Sequence, residues 1–253
     1  VANFLRLGIK SIYPWQKHCL LGPGILTGDK NLVYSAPTGG GKSLVADVLM
    51  LKQVLAEHDA KALLVLPYVA LVQEKVRWLR NVVQGISREA LGHVHKDDGK
   101  NWARRADKDT IRVVGFFGGS KVNATWHDFD IGVCTMEKVS RLPYLVKSNL
   151  TDSQANALVN TAIDDYSITK LKIVVLDELH MIDDDYRGYL MELMATKLLC
   201  LSQQVQIVGM SATLTVSDPC EFVKSDSDKP RTSTYSRRGC KATVTRRGIG
   251  RYP

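Results

Sequence analysis

The sequence predicts a three-layer α/β fold, a parallel sheet with helices on both faces, and three observations predict it. Apolar strand-like runs recur along the chain at Asn31–Ser35, Ala62–Leu66, Arg112–Phe116, Ile131–Cys134, Ile173–Leu176 and Gln206–Met210. Helix-forming stretches lie between them, among them Leu44–Lys52, Ala70–Val82, Ser153–Thr161 and Gly188–Leu201. A glycine-rich loop joins the first of these strands to the first of these helices. Strands that are apolar throughout must be covered on both sides, and helices between successive strands supply the cover and make the strands parallel.

The loop reads Ala36-Pro37-Thr38-Gly39-Gly40-Gly41-Lys42-Ser43. Strand, glycine-rich turn and helix in this order form a phosphate-binding loop. Glycines at 39, 40 and 41 leave no Cβ in the way, so backbone N–H groups can close around phosphate oxygens beside the positive end of the helix dipole. Thr38 belongs to the same cradle. Lys42 is placed to reach the β- and γ-phosphates of ATP, and the Ser43 hydroxyl to ligate Mg²⁺.

The fifth strand runs into Asp177-Glu178-Leu179-His180. An apolar strand ending in two carboxylates is a Walker B pattern, and ligands of parallel sheets bind where the strands end. Asp177 is the expected metal ligand, and Glu178 the group that orients and deprotonates an attacking water. The sixth strand ends in Ser211-Ala212-Thr213, whose hydroxyls could bond Asp177 or His180 and sense the γ-phosphate.

Composition narrows the class. Across 253 residues, 45% hydrophobic and 24% charged content describe an ordinary globular protein with a sizeable core. Cys19, Cys134, Cys200, Cys220 and Cys240 are widely spaced with no Cys-x-x-Cys pair, which argues against a zinc site or a disulfide framework and for a reducing compartment. No apolar run approaches membrane-spanning length and no charged-then-apolar leader opens the chain. The chain opens on Val1, so further residues are expected before it. The net charge of +8 is uneven: Thr215–Pro253 holds nine basic and four acidic residues, a net +5, leaving the body only mildly basic. Charge alone therefore does not establish a nucleic-acid partner.

In order and phrasing, the three motifs resemble those of superfamily 2 helicases. Tyr13-Pro14-Trp15-Gln16, Leu66-Pro67-Tyr68-Val69-Ala70 with Gln73-Glu74-Lys75, Val174–Asp185, Arg187-Gly188-Tyr189-Leu190 and Gln206–Leu214 narrow the resemblance to the Ski2-like DNA helicases. Within these it lies with the branch that includes the helicase part of DNA polymerase theta and HELQ. It spans about residues 9–138 and 155–214.

The resemblance implies a RecA-like P-loop NTPase domain over 1–214, with ATP and Mg²⁺ as cofactors, single-stranded or forked DNA as partner, a nuclear location and a part in DNA repair. It implies that Gln16 reads the adenine edge, and that His180, Ser211 and Thr213 couple hydrolysis to movement. Pro67, Lys75, Gly118, Gly119, Thr135 and Lys138 would then contact the nucleic-acid strand. Without the resemblance, Gly118-Gly119 reads equally as a plain turn, and Trp78 and Trp126 read as packing residues rather than base-stacking ones. The family's second RecA-like domain, whose arginines complete the ATP site from across a cleft, has no counterpart in these 253 residues. A lone first lobe is expected to be incompetent by itself. A Ski2-type RNA helicase shares the same motifs, and a nucleotide-binding interaction module without turnover is the reading from another class.

Two segments depart from the family pattern. Val139–Gln154 interrupts it, and the match is lost again after Thr215; both departures open on Val-Ser. A donor-like Val-Ser start and an acceptor-like Gln end suggest retained intron sequence, with the second segment running out of frame. The alternative is a lineage-specific insertion followed by a basic tail. The tail, 215–253, has few apolar residues and no evident helix or strand period, and is expected to be disordered.

Overall fold

The computed structural model describes residues 1–57, 59–86, 110–117, 124–136, 154–184, 187–200, 205–213, 233–237 and 240–246, the last two ranges as backbone only. Its six parallel strands are β1 (Lys30–Ser35), β2 (Lys61–Leu66), β3 (Val113–Phe116), β4 (Ile131–Thr135), β5 (Leu171–Leu176) and β6 (Gln206–Ser211). Each contains or overlaps one of the apolar runs read from the sequence. With β7 (Ser233–Arg237) and β8 (Cys240–Arg246) they form one sheet in the order β3-β4-β2-β5-β6-β1-β8-β7.

Both faces of the sheet are dry. Leu32, Tyr34, Leu64, Leu66, Ile173 and Val175 point into one apolar cluster, while Val33, Leu63, Val65 and Val174 point into the other. That alternation is the two-residue period of a strand. Helices α1 (Ala2–Arg6), α2 (Pro14–Leu20), α3 (Lys42–Ala56) and α4 (Val69–Val83) pack on the first face. Helices α5 (Gln154–Asp164) and α6 (Arg187–Cys200) pack on the second, through Val159, Met191, Met194 and Leu198. Trp126 is 1% exposed within this second cluster, so it serves packing. No helix among the described residues is long and apolar enough to cross a membrane. Among the described residues, Cys19, Cys134 and Cys200 form no disulfide.

The tail departs from expectation. Strand β8 pairs antiparallel with β1 from Lys30↔Arg246 to Ser35↔Lys241, and β7 pairs antiparallel with β8. Low apolar content does not exclude strands here, because edge pairing does not need it. The outer edge of β1 offers a row of N–H and C=O groups, and any extended segment satisfies them. Thr234, Tyr235, Thr243, Val244 and Thr245 are strand formers, and the pairing of β7 with β8 runs from Ser233↔Val244 to Arg237↔Cys240. Of the other departing segment, Gln154 opens α5; Val139–Ser153 lies outside the described residues.

Because β1 to β6 are parallel, their carboxyl ends share one edge of the sheet. The glycine loop leaves β1, Pro67-Tyr68 leaves β2, Asp177-Glu178 leaves β5 and Ser211 closes β6, all at that edge.

Candidate active site

The loop between β1 and α3 is bent by residues that tolerate no side chain. Gly39 and Gly41 have φ of +76° and +81°, in the left-handed region. A Cβ on Gly40 would come within 2.8 Å of the Pro37 carbonyl, and one on Gly41 within 2.5 Å of Gln16 Nε2. The Gly40 amide donates to Pro37 O at 2.8 Å, closing the turn that leads into α3. Thr38 and Ser43 are exposed at the loop, and Lys42 is buried at the first position of the helix.

Two contacts hold the loop to the sheet and a third braces it to α2. The Ala36 amide donates to Ser211 O at 3.1 Å, tying β1 to the end of β6. The Tyr34 hydroxyl, wholly buried, donates to Lys42 O at 2.8 Å and lies 3.1 Å from Met210 Sδ. Burial, reinforced by the nearby charge of Asp177, pushes the Tyr34 phenol well above its usual range, so it remains a donor. Gln16, 2% exposed, accepts from the Tyr13 amide through Oε1 at 2.7 Å and donates Nε2 to Gly41 O at 2.8 Å. The structure thus places Gln16 as a brace between α2 and the glycine loop, with its amide engaged by protein groups.

Opposite the loop, Asp177 Oδ1 accepts from the Glu178 amide at 2.8 Å. Burial raises the Asp177 pKa to about 6; the Glu178 hydrogen bond opposes the rise, the Glu178 charge adds to it, and Lys42 and Lys75 oppose it. The influence of Lys42 on Asp177 is consistent with the loop and the β5 end lying within electrostatic reach of each other. Ser43 and Asp177 line the same 360 Å³ cavity, with Gly41 and Leu44 beside them. A hydroxyl and a half-desolvated carboxylate facing one cavity suit a hard divalent cation, which would relieve the buried charge.

Glu178 adopts φ 50°, ψ 51°, a left-handed conformation that a β-carbon disfavours. Strain of this kind costs on the order of 1–3 kcal/mol and gathers at functional positions. It turns the Glu178 carboxylate toward His180, with Oε2 3.3 Å from Nδ1. The same Nδ1 lies 2.9 Å from Ser211 Oγ, which also accepts from the Thr213 amide at 3.2 Å. Ser211 Oγ thus links His180, which reaches Glu178, to the backbone of Thr213; of the two hydroxyls expected to bond Asp177 or His180, that of Ser211 meets His180, and Thr213 joins through its amide.

The expected strand contacts fare differently. Gly118, Gly119 and Lys138 lie outside the described residues. Pro67 is buried at the end of β2, and Thr135 is wholly buried, its Oγ1 without a hydrogen-bond partner among the described residues. Lys75 is turned inward: its Nζ lies 2.7 Å and 2.9 Å from the two oxygens of Asp47, against the surface placement that a strand contact implies. One exposed residue at this edge was given no role by the motifs. Tyr68, 47% exposed before α4, stacks under the Arg187 guanidinium at 5.0 Å. Asp47 and Tyr34 were missed as well. Asp47 follows Ser43 by four residues and so shares its helix face.

A glycine-bent loop feeding a helix at the end of β1, with a Walker B carboxylate pair at the end of β5 one strand away in a parallel sheet, defines a P-loop nucleotide-binding lobe of the RecA type. Residues 14–222 match the DEAD/DEAH box helicase family, and the chain belongs to that family. It is 37% identical over 227 residues to DNA polymerase theta of Mus musculus, covering 84% of this chain and 7% of that protein. It is 35% identical to Helicase POLQ-like of Homo sapiens over 87% of this chain and 16% of that one. To the ATP-dependent DNA helicase Hel308 of Caldivirga maquilingensis it is 29% identical, over 83% of this chain and 22% of the relative. The Ski2-like resemblance read from the motifs is borne out. The chain spans less than a quarter of the length of these relatives. Among solved structures, the DUF1998 helicase MrfA superposes with a TM-score of 0.58 at 17% identity, over 87% of this chain and 29% of that one. S. cerevisiae Dbp5 superposes at 0.56 and 14% identity, over 88% and 48%, which supports the fold.

Proposed function

We propose that this chain is the ATP-binding first lobe of a DNA helicase or translocase that acts in nuclear DNA repair. The observation that carries the reading is the joint placement of Ser43 and Asp177 on one cavity, with Lys42 acting electrostatically on Asp177. Lys42 and the amides of Gly39–Gly41 would hold the phosphates of ATP, and Ser43 and Asp177 would hold Mg²⁺. That ion would supply charge neutralisation across the β- and γ-phosphates. Glu178 would orient the attacking water and take its proton. His180, bonded to Ser211, would feel the position of Glu178 and pass it to the end of β6. The relatives, a DNA polymerase and a DNA helicase, favour DNA over RNA as the strand.

Residues 1–253 alone are expected to bind ATP with Mg²⁺ and to turn it over very slowly. An arginine reaching in from a second lobe contributes about 10³–10⁵ in rate in P-loop motors. Anisotropy of labelled oligo-dT and oligo-rU, with ATPase assays on each, tests the reading. Tighter binding of the DNA, weakening as salt rises, supports it. Tighter binding of the RNA favours the RNA-helicase alternative, and nucleotide binding with no affinity for either strand favours an interaction module.

A further inference from the structure

Asp47 is a buried acid that the catalytic reading leaves without a task. It is 1% exposed on the second turn of α3, on the same helix face as Ser43. Its carboxylate takes the Lys75 ammonium at 2.7 Å on Oδ1 and 2.9 Å on Oδ2, and the Trp78 indole N–H at 2.8 Å on Oδ2. Lys75 and Trp78 stand three residues apart on one face of α4, so a single carboxylate joins two helices.

A buried ion pair is weak evidence of a stabilising role, because apolar residues of similar volume hold such a joint equally well. Position distinguishes this one. Asp47, Lys75 and Trp78 line the same cavity as Ser43 and Asp177. The Lys75 charge reaches Asp177 as well, since it is among the influences that lower that carboxyl's pKa. One and a half turns before Lys75, α4 begins after the exposed Tyr68, with no side-chain cap on its first amides. The far end of the joint is thus the nucleotide cavity, and the near end is the turn facing the expected strand.

We propose that Asp47, gripped by Lys75 and Trp78, is a positioning residue that transmits occupancy of the nucleotide cavity to α4. The inference rests on the nucleotide-binding reading above. It assigns Lys75 a coupling task in place of a direct strand contact, and it makes charge and hydrogen-bond geometry at Asp47 matter beyond packing.

Hydrogen–deuterium exchange of the α4 amides, with and without a saturating non-hydrolysable ATP analogue and Mg²⁺, tests it. In the parent chain the analogue is expected to slow α4 exchange at least threefold. In Lys75→Met at full occupancy that slowing should vanish, and Lys75→Arg should restore most of it. Trp78→Phe, which removes one of the three contacts and keeps the ion pair, should retain a reduced response and serves if Lys75→Met folds poorly. Lys75→Met or Trp78→Phe with the parent's full response would overturn the proposal. So would a parent that binds the analogue with no change in α4. A parent that does not bind the analogue at all refutes the nucleotide reading itself, which separates the two failures.

Discussion

Asp177→Asn is expected to weaken Mg²⁺-dependent nucleotide binding by at least about tenfold while making the empty protein more stable. Both effects come from the same buried charge. Asp177 titrates near pH 6 in the fold against an ordinary value of 3.8, so folding disfavours its ionised form. A raised carboxylate adds no penalty below about pH 4. The penalty grows between pH 4 and 6 and is complete above 6. A shift of two units corresponds to at most about 3 kcal/mol. An amide of the same size keeps the Glu178 hydrogen bond and escapes the penalty. Thermal unfolding without nucleotide should therefore show Asp177→Asn melting higher than the parent above pH 6, with the two converging below pH 4. For the parent, Mg²⁺-nucleotide affinity should fall as pH drops below 6, because a proton then competes with the cation. Equal melting temperatures at pH 8 would mean that the carboxylate is not desolvated in solution.

The second large effect concerns a glycine outside the phosphate loop. Gly188 sits at the second position of α6, where a Cβ would overlap the backbone carbonyl of Ile182. Ile182 belongs to the 3-10 turn Leu179–Asp183 that carries His180. Alanine ordinarily gains about 1 kcal/mol over glycine inside a helix. Here backbone must move to make room, which costs about 3 kcal/mol or more and decides the sign. Gly188→Ala should melt about 5–12 °C below the parent, and the displaced turn should also weaken nucleotide binding. An unchanged melting temperature would show that α6 does not press on the turn that holds His180.

Much of the nucleotide site was legible in the sequence because local rules dictate it. Glycines at 39–41, a cation at 42 and a hydroxyl at 43 between strand and helix have one physical use, and apolar Ile173–Leu176 followed by two acids has another. Side-chain direction was less legible. Lys75 looks like a surface cation in the sequence, and nothing local shows that Asp47, twenty-eight residues earlier, lies opposite it. Thr135 and Pro67 read as nucleic-acid contacts from their motifs, yet Thr135 ends β4, Pro67 follows β2, and both are buried there. The brace from Gln16 to Gly41 is likewise a long-range contact that no periodicity reveals. The hairpin on β1 was missed because an edge recruits strands by backbone pairing, which leaves little trace in composition.

The measurement that bears most directly on the account is calorimetric binding of ATP with Mg²⁺ to the parent chain and to Lys42→Ala. Lys42 stands at the start of α3 with its charge acting on Asp177, and its contact with phosphate would be a charge-assisted one worth roughly 1.5–3 kcal/mol. Saturable binding by the parent is expected, with an affinity at least about tenfold lower for Lys42→Ala and the melting temperature of the empty protein little changed. Equal affinity in the two proteins would contradict it, because the loop after β1 would then not be what holds the phosphates.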